Sequence, residues 1–92
     1  MFSYIKGVLD SKTQDKAVID VGGVGYLIHI PYSTYQTLPD VNEVVKLNTY
    51  LAVREDSMTL YGFKSNEELR IFELLLPFSY TIISFIYFKS IY

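Results

Sequence analysis

The stretch VIDVGGVGYLIHIP, residues 18–31, decides the fold. On either side of Gly22 and Gly23 the apolar residues alternate, with Ala17, Ile19 and Val21 on one face of KAVIDV and Val24, Tyr26, Ile28 and Ile30 on one face of VGYLIHI. Two successive glycines can take the positive φ values of a two-residue primed turn, so the segments should pair as an antiparallel hairpin. His29 then points to the opposite face, beside Leu27.

Upstream, FSYIKGVL alternates less regularly and DSKTQD supplies a polar turn, which adds a strand before the hairpin. Downstream of Pro31, YSTYQTLPD places Gln36 three residues after Ser33, the capping-box spacing, and Pro39 stops whatever begins there. One or two helical turns are expected. EVVKLNTYLAV is a long strand with Val45, Leu47, Thr49, Leu51 and Val53 on one face. SMTLYGF is another, with Thr59, Tyr61 and Phe63 together, and REDS joins the two as a charged hairpin loop. The pattern is therefore mainly β. Its economical arrangement is a closed or nearly closed sheet, since closure hides strand edges, and a five-stranded OB-fold barrel is the best match. Ser65 then opens SNEELRIFELLL, where Glu68 completes a second capping box and Glu67 favours the helix dipole. Leu69, Phe72 and Leu76 fall on one side of an amphipathic helix of about three turns, ended or bent by Pro77.

Ninety-two residues, half of them hydrophobic, make one small domain with a thin core. Eight Lys plus Arg against ten Asp plus Glu give a net charge of -2, so the chain lacks the positive field that autonomous duplex binders direct at phosphates. The absence of cysteine excludes disulfides, thiolate nucleophiles and zinc-thiolate sites, and fits a reducing cytosol. MFSYIKG has no long apolar run after a basic start, so a cytoplasmic location is expected rather than export.

Taken together, IKGVL at 5–9, VIDVGGVGYLIHIP at 18–31, VREDSMTLYGF at 53–63 and NEELRIFELLL at 66–76 resemble the N-terminal part of the RuvA family. These are the Holliday-junction-binding subunits of the bacterial branch-migration machinery. The resemblance implies an OB-fold domain over residues 1–64 and four-fold assembly into a homotetramer. It further implies a flat face for four-way junction DNA, and work beside RuvB, the ATP-driven motor, and RuvC in recombination, DNA repair and the SOS response. Residues 65–76 would be the first helix of a helix-hairpin-helix domain. The sequence then departs from the family: PFSYTIISFIYFKSIY, residues 77–92, contains no glycine for the amide-presenting turns expected there. This atypical apolar tail, rich in residues that AT-rich codons specify, is expected to be a frameshift product on a fragment lacking the helix-hairpin-helix and RuvB-binding domains. Weak or lost junction binding is expected with it.

Glu55 and Asp56 are adjacent at the tip between two strong strands. On composition they are an ordinary solvated hairpin tip; the resemblance makes them the acidic pin that holds junction strands apart. Arg54 beside them either contacts phosphate or neutralises the pin. Catalysis or metal binding by the pair is disfavoured, because adjacent side chains on an extended hairpin diverge and no third ligand is recognisable. His29 has no partner for a triad or metal site and reads as structural. GGVG lies between strands with no GK[ST] after it, so no nucleotide loop, cofactor or catalytic residue is expected and the chain is not an enzyme. Tyr26, Tyr50 and Tyr61 could stack bases but fit a core or subunit interface better. The uncharged run 74–88 contains Pro77, Ser79, Tyr80, Thr81 and Ser84, and is shorter than the ~20 apolar residues of a membrane span. TIISFIYF within it suits strand addition or aggregation. The alternative function is an OB-fold self-association or protein-interaction module without independent DNA binding.

Overall fold

The computed structural model describes residues 3–75, so the tail over 77–92 lies outside the described residues. The chain forms β1 (Tyr4–Lys12), β2 (Lys16–Val21), β3 (Val24–His29), α1 (Tyr32–Tyr35), β4 (Val44–Val53), β5 (Met58–Phe63) and α2 (Asn66–Leu75). The strands close into a barrel in the order β1-β2-β3-β5-β4, with β4 returning to β1. All neighbours are antiparallel except β3 and β5, which meet in a short parallel contact at Ile28–Leu60 and His29–Tyr61. This is the OB-fold that the patterning implied.

The Gly-Gly hairpin is as expected: Val21 pairs with Val24, and Gly22 and Gly23 adopt φ of 60° and 92°. The Gly23 N–H also donates to Asp20 Oδ1 at 2.8 Å, which ties the turn to the strand that enters it. Ile5, Leu9, Ala17, Ile19, Ile28 and Leu47, at inward positions of their strands, fill the barrel together with Ile30, which follows the end of β3.

A second core lies outside the barrel wall. Phe72 of α2 is fully buried among Tyr61 and Phe63 of β5, each with ring centroids 5.0 Å away, and Tyr50 of β4 at 5.7 Å. Thr59, Tyr61 and Phe63 do share a face, but for Tyr61 and Phe63 it is the face turned to the helix. Leu60 and Gly62 take the barrel side, and β5 is covered on both sides. Tyr50 and Tyr61 are thus packing residues, and Tyr26 packs half-buried on the barrel core.

Three expectations need correction. Ser33 does not cap α1: the helix begins at Tyr32 behind Pro31, without a side-chain cap, and the Ser33 hydroxyl donates to Glu68 Oε2 at 2.7 Å. The second capping box is made by one half, with the Glu68 N–H donating to Ser65 Oγ at 3.2 Å while a Glu68 carboxylate oxygen is engaged by Ser33. On β4 the inward alternation holds through Leu47 and Thr49 but fails at Val53, which is 65% exposed because the β4–β5 hairpin runs past the end of the barrel. Val21 and Val24 are exposed for the same reason at the β2–β3 hairpin.

Gly62, like Gly7 on β1, sits where the barrel has no room for a side chain. A Cβ on Gly62 would lie 2.5 Å from Ile28 Cγ2 and 3.3 Å from Leu47 Cδ1. Gly62→Ala is expected to cost about 1–3 kcal/mol by overpacking, read as a lower urea midpoint at unchanged m-value; an unchanged midpoint would show that the barrel yields at that point.

Candidate functional site: the acidic tip and its surroundings

The β4–β5 ladder carries six residue pairs from Asn48–Phe63 to Val53–Met58 and holds the loop Arg54–Ser57 at its end. The Arg54 N–H donates to the Ser57 carbonyl at 2.8 Å, which closes the turn without calling on either acid. Arg54, Glu55 and Asp56 are all exposed. The sequence brought these three together by adjacency, and the structure sets them on a projection whose base is fixed by β5 packing against α2.

Below the loop, Val53 and Met58 are cross-strand partners exposed to 65% and 68%. Sequence reasoning placed Val53 inward and gave Met58 no role. The available signal was their immediate adjacency to a charged loop, where a strand commonly outruns its core. Among the described residues no group of three or more His, Asp or Glu side chains is placed to hold a metal ion, and no helix is long and apolar enough to cross a membrane.

His29 is half-buried on the outer face of β3, its ring centroid 5.8 Å from Tyr61. Burial lowers its pKa below the ordinary value of 6.5; the Lys16 ammonium adds to the fall and the Asp15 carboxylate opposes it. The imidazole is packed beside Tyr61 and stands apart from the acidic loop, in keeping with a structural role.

The OB-fold barrel thus carries one adjacent pair of exposed carboxylates, Glu55 and Asp56, on a hairpin tip. Residues 1–62 match the family model described as RuvA N terminal domain, and the chain belongs to that family. It is 48% identical over 75 residues to the "Holliday junction branch migration complex subunit RuvA" of Salinibacter ruber, covering 82% of this chain and 37% of that protein. It is 44% identical over 79 residues to the protein of that name from Thermoanaerobacter sp., with 86% and 42% covered. For Prosthecochloris aestuarii the match is 48% over 79 residues, with 86% and 40% covered. The chain thus spans about two-fifths of the length of these relatives.

The lowered pKa of His29 has a signed consequence. The unfolded chain takes up the His29 proton at a higher pH than the folded chain, so folding stability falls as pH drops from about 6.5 through the folded pKa. His29→Gln should flatten that part of the stability curve, measured by urea melts at stepped pH; an unchanged slope in the variant would assign the loss to other groups.

Proposed function

We propose that the chain is the junction-facing OB module of a Holliday junction branch-migration subunit, working as a homotetramer in recombination and DNA repair. The observation that carries the reading is the exposed Glu55–Asp56 pair on a rigid hairpin tip, in a barrel that belongs to the RuvA N-terminal domain family. Around a four-fold axis the tips converge, and their carboxylates disfavour the approach of phosphate backbones at the crossover. Two like charges about 4 Å apart repel by roughly 1 kcal/mol in water and more where solvent is thinned. Salt screens the effect over about 10 Å at 0.1 M.

Arg54 sets a cation beside the pair, in the role of a phosphate contact or of neutralising the acids. The exposed Val53–Met58 pair suits contact between copies near the axis, where burial would recover apolar area that the monomer leaves in water. The chain has no catalytic role in this reading: it binds and shapes the junction, the ATP-driven motor is the partner RuvB, and RuvC is the partner that acts on the same junction. Attraction for the duplex arms then comes mostly from outside the barrel. A chain of net charge -2 with an acidic tip contributes few of the counterion-releasing contacts that set affinity.

The full chain is expected to bind a four-way junction weakly at physiological salt and to run as a tetramer in light scattering. Neutralising the tip with Glu55→Gln and Asp56→Asn should raise affinity for both junction and linear duplex by about two- to tenfold at low ionic strength, converging with the parent above about 0.5 M salt. A gel-shift series in which the variant binds no tighter, or in which the gain persists at high salt, would remove the repulsive role. A monomer that retains the parent's folding would favour an interaction module without assembly.

A further inference from the structure

The outer surface of the β1–β4 ladder carries its side chains in a fixed order. Ile5 and Leu9 point into the core, so Lys6, Val8 and Asp10 alternate onto the outside. Across the ladder Val8 stands opposite Val44, 40% and 62% exposed, and Lys6 stands opposite Lys46, both exposed. Asp10 is exposed at the bulge between Leu9 and Ser11, and Asp40 and Glu43 are exposed in the segment that leads into β4. Along the direction in which β4 runs, the face is therefore acidic, then apolar, then basic. Among the described residues no ion pair holds Lys6, Lys46, Asp10 or Glu43, and Lys46 Nζ lies 4.4 Å from the centroid of the Tyr4 ring.

The fold does not account for the lysine pair. Like charges directly opposite on neighbouring strands are destabilising. Lysines often guard an open sheet edge, but β1 and β4 each have a strand on both sides in the closed barrel. Asp20, opposite Val8 on β2, is engaged through Oδ1 by the Gly23 N–H. A polynucleotide would find cations here, but its phosphates would also meet Asp10 and Glu43 on the same face of a chain that is anionic as a whole. The surface instead fits a partner whose own order is basic, apolar, acidic, and a second copy turned end for end carries that order.

We infer that the β1–β4 face is a two-fold contact between two copies of this chain. Such a contact uses the same patch on both sides, so the patch must be complementary to itself. Lys6 and Asp10 lie two residues to either side of Val8, about 6–7 Å each way along the strand. A two-fold axis between the copies, crossing the strands at the Val8–Val44 row, sets each valine on its own image. The same rotation brings Lys6 of each copy over Asp10 of the other, and Lys46 over the acidic segment 40–43. Sheet faces pack about 10 Å apart, a gap that a lysine and an aspartate side chain bridge together. Burial of the valines supplies the attraction, and the charges fix the direction. Only two strands of a curved barrel take part, so the contact is small and the association weak. It uses neither Glu55 nor Asp56 and does not rest on the junction reading.

The test mixes equal amounts of light and heavy-nitrogen full chain at sub-millimolar concentration and adds a water-soluble carbodiimide, which condenses an amine with a carboxylate it touches. Mass spectrometry is expected to find Lys6 joined to Asp10 in peptides that pair a light chain with a heavy one; links confined to single chains, or none, would overturn the contact. The chain has no cysteine of its own, so Val44→Cys puts one thiol on the axis, and a short bismaleimide should join two copies through it. In that background Lys6→Glu or Asp10→Lys alone should cut the yield by about tenfold, because each sets like charges face to face. The two changes combined restore opposite charges and should return the yield to within about twofold; a combined variant no better than the single ones would overturn the pairing. Gln14→Cys, exposed beyond the far end of β1, is the collision control, and a yield equal to that of Val44→Cys would overturn the contact as well. Linear duplex at low ionic strength should leave the Val44→Cys yield unchanged, whereas its loss would reassign the lysines to phosphate. Because the readout is a link between named residues, with no junction and no oligomer mass in it, failure of this contact and failure of the junction reading are distinguishable.

Discussion

Burial of β5 on both of its faces is the constraint on which the remaining structure depends. Inward, Gly62 lets Ile28 and Leu47 close against the strand; outward, Tyr61 and Phe63 receive Phe72. A strand covered on both sides cannot slip by one residue, because the slip would exchange a glycine for an aromatic ring in the barrel and leave the helix facing a gap. The register of β5 fixes the β4–β5 ladder, and the ladder fixes where Arg54, Glu55 and Asp56 emerge. The position of the charged tip is therefore decided by apolar packing well below it.

The link between α1 and α2 serves the same end from another direction. Ser33 donates to Glu68, and the fully buried Thr34 accepts the Lys64 N–H at 3.2 Å, so the short helix is tied to the segment joining β5 to α2. Hydrogen bonds that satisfy buried groups contribute modestly to net stability but are costly to leave unmade. They hold α2 against the barrel wall where Phe72 needs it.

Charge is also distributed by the fold in a way that the net value conceals. The tip gathers two carboxylates on a projection, while the opposite end of β4 gathers Lys6 and Lys46 on one face of the closing strand pair. Adjacency in sequence made the acidic pair legible at once. The lysines are forty residues apart in the chain, and nothing short of the β1–β4 register brings them opposite each other. The same holds for Tyr4 under Lys46, a contact between the ends of different strands. The missed cap at Ser33 has a similar origin: the spacing to Gln36 was right for a local bond, but a charged acceptor from α2 offered the stronger one.

Local pattern was enough to determine the strands, the Gly22–Gly23 turn, the amphipathic helix and the adjacency of Glu55 to Asp56. Each of these depends on residues within a few positions of one another, where period and backbone permission act directly. Only the tertiary structure decided that Tyr61 and Phe63 face a helix rather than the barrel, that Val53 leaves the core, that Ser33 binds Glu68, and that Lys6 meets Lys46. Those outcomes hinge on register and on which of two faces a neighbouring element covers, and alternation along a strand is silent about both.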